Sequence, residues 1–195
     1  MKEHPNYQNL ISEVENKGYK IVKDGEARIS YVEVINKKKE VIAVEKELHV
    51  LPDMRYIDLE HEVGHIRQLE RFEGNLYTDR YKQGNDGTRK LFNQNAPHVL
   101  QEWQDIAAEY HNRLDEFLRL YERDASPELL AEHSSMQTEG IDYWNRLYDD
   151  KIFNKGRGRK KTNWVKEHFP DLAELRQQYS RAIKVLKQTY PDISF

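Results

Sequence analysis

The spacing of apolar residues changes twice along this chain and divides it into three parts. Between Tyr7 and Glu15, Leu10, Ile11 and Val14 recur at helical spacing and Lys17-Gly18 is a stop signal, which predicts a short first helix. From Tyr19 the pattern shortens to runs of β-branched and aromatic residues: Ile21 and Val22, then Ile29 to Ile35, then Val41 to Leu51. Asp24-Gly25 and Asn36-Lys37-Lys38-Lys39 interrupt them, so they predict strands joined by turns, the last two forming a hairpin. Pro52-Asp53 ends this part, with Asp53 as the cap of a helix from about Met54 to Phe72 that Gly74-Asn75 closes. Gln83 to Thr88 reads as a loop, and the chain to Pro97 as irregular.

From His98 the spacing is helical almost to the end. Val99, Trp103, Ile106, Tyr110, Leu114, Phe117 and Tyr121 form one apolar stripe. Ser126-Pro127 starts a further helix, and Asp171 with Glu174 three residues on predicts a capping box for the last one, which ends at Pro191. The expected fold is α+β: a small, mostly antiparallel N-terminal sheet, one long helix, then a mainly helical part. We expect a single domain over 1–195, divided into 1–53, 54–74 and 98–195.

Composition narrows the function classes. With 31 Lys and Arg against 34 Asp and Glu, the formal charge of −3 supplies no global field for nucleic acid or an anionic membrane. Twelve Tyr, three Trp and six Phe argue against disorder. There is no cysteine, so a disulfide framework and a thiolate metal site are both excluded, and any metal ligands must be His, Glu or Asp. No apolar stretch follows Met1 and no run is long enough to span a bilayer, so the expectation is a cytoplasmic chain, or one exported as part of a longer protein.

Against that background, His61-Glu62-Val63-Gly64-His65 stands out. Residues four apart on a helix project from one face, so His61 and His65 can converge on a single ion. Glu62 lies about 100° round the helix and is placed to act as general base, not ligand. Zinc lowers the pKa of a bound water towards roughly 7, so a carboxylate of ordinary basicity can take its proton during attack on a carbonyl. Glu62 can then hand that proton to the leaving amine. Gly64 disfavours a helix by about 1 kcal/mol relative to Ala, which close packing against the helix would explain.

A catalytic zinc site needs a third protein ligand. Ile66-Arg67-Gln68-Leu69-Glu70-Arg71 lacks the metzincin continuation, so the ligand must come from elsewhere. In the helix beginning near His98, the residues His98, Glu102, Asp105 and Glu109 form a polar stripe beside the apolar one. Glu102 is the favoured ligand, with Asp105 or Glu109 as alternatives. Candidates for stabilising the transition state are His98, His111, His133, Tyr110 and Tyr143, though each also reads as an ordinary core or surface residue. The strand from Glu45 to Leu51 is a candidate edge for strand addition by an extended peptide.

The segment Leu59-Glu60-His61-Glu62-Val63-Gly64-His65-Ile66-Arg67-Gln68 resembles the zincin superfamily, in particular gluzincins, where a Glu on a following helix completes the site. Together with the nearby Gln and the downstream acidic helix, it also looks like the small metallopeptidase domains of bacterial and phage polymorphic toxins and effectors. The resemblance implies a zinc metallopeptidase with His61 and His65 as ligands, Glu62 as base and a protein or peptide substrate. It does not transfer the third ligand, because Glu102-Trp103-Gln104-Asp105 matches the thermolysin-like pattern only in part. Two rivals remain: a zincin-like binding domain without catalysis, and a nucleic-acid module in which the basic run Lys155 to Lys161, read as a loop between two helices, grips phosphates and Trp164 stacks on bases.

Overall fold

A computed structural model describes residues 6–71, 78–92, 102–135 and 157–195, except for the side chains of 102, 103 and 157–162. The protein is α+β, with a five-stranded mixed sheet and six helices among the described residues. It divides into two compact units, Met1–Leu100 and Gln101–Phe195, a division that the reading of one domain did not anticipate.

In the first unit, α1 (Tyr7–Asn16) buries Leu10 and Val14, the predicted stripe. Gly18 follows it at φ +78°, a left-handed conformation that glycine adopts without strain, and its N–H closes on the Glu15 carbonyl at 2.9 Å. The chain then forms β1 (Lys20–Lys23), β2 (Arg28–Ile35) and β3 (Val41–Val50), as the short apolar runs predict. The β2–β3 hairpin turns at Asn36, whose side-chain oxygen accepts hydrogen bonds from the backbone N–H groups of Lys38 and Glu40.

Two further strands, β4 (Thr78–Gln83) and β5 (Arg89–Leu91), flank the expected loop; β5 lies where irregular chain was expected, and β4 where no element was. Their residues are mostly polar and offer no apolar alternation. The turn between them is a recognisable hairpin device, with Gly87 at φ +79° and Asp86 accepting from Thr88. The strand order is β1-β3-β2-β4-β5. Parallel pairings join β1 to β3 and β2 to β4, while β2–β3 and β4–β5 are antiparallel. The expected mostly antiparallel sheet is therefore mixed, because the helix between β3 and β4 returns the chain parallel to β2.

That helix, α2 (Tyr56–Arg71), begins three residues after Asp53, so Asp53 lies in the preceding turn and not at the cap position. The predicted stop at Gly74-Asn75 lies outside the described residues. α2 packs against β2 and α1. It buries Leu59, Val63, Ile66 and Leu69 together with one carboxylate, Glu60. Glu60 accepts from Arg67 Nη1 at 2.9 Å and from the Tyr56 hydroxyl at 3.3 Å, and Arg67 also donates to both carboxylate oxygens of Glu13 on α1 at 2.7 and 2.6 Å. Burial works against the charge on Arg67, but these hydrogen bonds and the neighbouring negative charge outweigh it and hold its pKa above the ordinary arginine value. Lys17 and Glu70 form a second ion pair between the same two helices.

The second unit is helical: α3 (Glu102–Glu122), a helix whose described part is 127–135 (α4), α5 (Arg157–His168) and α6 (Leu172–Thr189). Ser126 caps α4 as predicted, its hydroxyl accepting from the Leu129 N–H at 3.2 Å. The expected capping box on α6 does not form. Asp171 makes no side-chain cap bond and lies instead 3.2 Å from His111 Nε2. Phe117 packs edge-on against Tyr179, and Phe169 lies against His111. The basic run, expected in a loop, enters the first turns of α5 from Arg157 onwards, while Lys155 lies outside the described residues.

Candidate metal centre

Helical geometry explains the local arrangement of the motif. His61 and His65 are one turn apart on α2, and their rings meet edge to face, with centroids 4.7 Å apart and planes at 85°. Their Nε2 atoms are 3.1 Å apart. Two ligand nitrogens at about 2.0–2.1 Å from a tetrahedral zinc are separated by roughly 3.3 Å, so the pair is already spaced to share one ion.

The proton positions support the same use. His65 Nδ1 lies 3.1 Å from the Gln68 side-chain oxygen. A carbonyl oxygen can only accept, so the ring proton of His65 sits on Nδ1 and its Nε2 turns a lone pair towards His61. In the absence of a cation, His61 Nε2–H can donate to that lone pair; a divalent cation replaces the proton and uses both lone pairs. The donor set therefore fits a borderline metal such as zinc.

Gln68 is buried, and its place three residues beyond His65 puts it on the same helix face. That spacing was available in the sequence as the signal for an orienting partner, but the residue type does not by itself distinguish the role. We expect Gln68→Ala to weaken metal affinity by about 10–100-fold with little change in fold. Competition against a chromophoric chelator measures this, and an unchanged affinity would show that Gln68 does not orient the ring.

Glu62 follows His61 on α2 and is half-buried, as is His61, whereas His65 is buried. Of the acidic residues on α3, Asp105 is exposed and Glu109 half-buried. Glu102 opens α3, but its side chain lies outside the described residues.

Three other sequence candidates are buried in the second unit. His111 is buried against Phe169 and pairs with Asp171, and His133 is buried 3.0 Å from Glu116. Tyr110 is buried beneath the Arg176 guanidinium, and burial pushes its pKa up. His98 and Tyr143 lie outside the described residues. The expected edge at Glu45 to Leu51 is corrected: over Glu47–His49, β3 is flanked by β1 on one side and β2 on the other. Among the described residues, β1 forms one edge of the sheet.

Comparison with protein-family models, with curated proteins and with solved structures finds no match for this chain. No helix among the described residues is long and apolar enough to cross a membrane.

Proposed function

We propose that this chain is a metal-dependent hydrolase of the zincin type. More particularly, we assign it as a zinc metallopeptidase that cleaves a protein or peptide substrate. The observation that carries the reading is the convergence of His61 and His65 Nε2 at 3.1 Å, with the Gln68 side-chain oxygen 3.1 Å from Nδ1 of the second ring. Among the acidic candidates on α3, we assign the third ligand to Glu109. It is half-buried, and a carboxylate is a ligand type that commonly completes a catalytic zinc site begun by two histidines.

When bound, zinc supplies Lewis acidity for the attacking water and the scissile carbonyl. Glu62 takes a proton from the water as its oxygen bonds to the carbonyl carbon, and returns it to the nitrogen as the C–N bond breaks. A site serving structure alone has no need of a base beside its ligands. The nucleic-acid alternative has lost a supporting feature, since Trp164 is stacked on His168 of its own helix at 4.2 Å between centroids.

Metal content tests the proposal. Protein purified without added metal and then loaded should hold about one zinc per chain, and His65→Ala about none, as expected when one of three protein ligands is lost. Glu109→Ala and Glu102→Ala, compared side by side, identify the third ligand by which of them loses the ion. Wild-type protein that retains no zinc would overturn the assignment.

A further inference from the structure

A second site lies in the first unit, away from the motif. Between α1, β1 and the β3–α2 connection is a cavity of about 710 Å³, within the usual range for ligand-binding clefts. Ile11 and Glu15, one turn apart on α1, form one wall, and Ile21 and Lys23, alternate residues of β1, form the other. Met54 and Tyr56 close one end. None of His61, Glu62 and His65 lines it.

Three features favour a ligand of one chemical kind. The first is that β1 is an edge strand among the described residues, so alternate backbone N–H and C=O groups along it can accept an added strand. The second is the apolar surface beside that edge, supplied by Ile11, Ile21 and Met54. The third is charge: Lys23 and Glu15 line the cavity and neither makes an ion pair among the described residues. Because α1 ends just before β1 begins, Glu15 lies towards the start of β1 and Lys23 at its finish.

The α1 wall is also held in place. The Glu13–Arg67–Glu60 network and the Lys17–Glu70 pair pin α1 to α2, and Tyr56 is tied to Glu60. A wall that is already fixed need not be ordered by the ligand, which lowers the penalty of binding.

We propose that this groove binds an extended peptide, which adds as a strand along the open side of β1 and seats an aliphatic side chain over Ile11, Ile21 and Met54. The peptide carries an acidic residue towards Lys23 and a basic residue towards Glu15. Side chains of an added strand alternate as those of β1 do, so those on the α1 face enter the cavity beside Ile21 and Lys23. The site is independent of the metal reading and stands whether or not zinc is bound.

The test is fluorescence anisotropy with the full chain and a labelled nonapeptide that has an Ile-Thr-Val centre, one Glu on one side and one Lys on the other. Saturable binding is expected, weakened at least about tenfold by Ile11→Arg and also weakened by Lys23→Glu, with circular dichroism unchanged. The same peptide N-methylated at alternate amides should lose binding, a comparison that needs no change to the protein. No saturation up to about 1 mM, equal affinity for the N-methylated peptide, or equal affinity of folded Ile11→Arg would each overturn the proposal.

Discussion

Replacing Glu62 by Gln is expected to lower kcat/KM on an unstructured protein substrate by about 10²–10⁴-fold while leaving one zinc per chain. That range corresponds to roughly 2.7–5.5 kcal/mol of lost transition-state stabilisation. Gln is nearly isosteric with Glu and can still hydrogen-bond a water, but it cannot accept the proton that the water gives up. Because Glu62 is not a ligand in the proposed arrangement, metal content and stability should follow the wild type. Activity and zinc measured on the same preparation make the test decisive. Loss of both together would place Glu62 among the ligands, and retention of full activity would exclude it as the base.

The second large effect concerns the support of the metal helix. In Arg67→Met the guanidinium disappears from beside Glu60, whose side chain is 0% exposed. Breaking a buried ion pair by removing one partner destabilises a fold by about 3–5 kcal/mol, because the remaining charge has been taken out of water. Glu13 loses its partner on α2 in the same substitution, but it is partly exposed and water can take over much of that interaction. The urea midpoint should therefore fall sharply in Arg67→Met and recover in part in the double variant Glu60→Met, Arg67→Met, where neither charge of this pair is left. A shift below about 1 kcal/mol for the single variant would mean that the network does not hold α2 in place.

Much of the first unit was legible from residue order. α1, β1, β2, β3 and α2 fall within a few residues of their expected bounds, because the two helices repeat their buried apolar residues at helical spacing and the strands gather β-branched and aromatic residues in short runs between turn signals. β4 and β5 were missed for the converse reason: they are polar strands, formed by pairing with β2 and with each other. The capping box on α6 failed because Asp171 is drawn to His111, a residue 60 positions away whose approach no local rule anticipates. The basic run read as a loop because five positive charges among seven residues mask the helical continuation of α5.

By itself, the sequence determined that His61 and His65 share a face of a helix with Glu62 beside them, since the angle between successive residues depends only on helical geometry. It also determined that any metal must be held by nitrogen and oxygen, there being no cysteine. Only the tertiary structure decided which ring nitrogens converge and that Gln68 sets the tautomer of His65. It alone revealed that Glu60, an ordinary charged position on paper, is buried against Arg67 and Tyr56. The reason is physical: periodicity specifies a direction from the helix axis, whereas side-chain rotamers, protonation and burial depend on neighbours that folding brings in from distant parts of the chain.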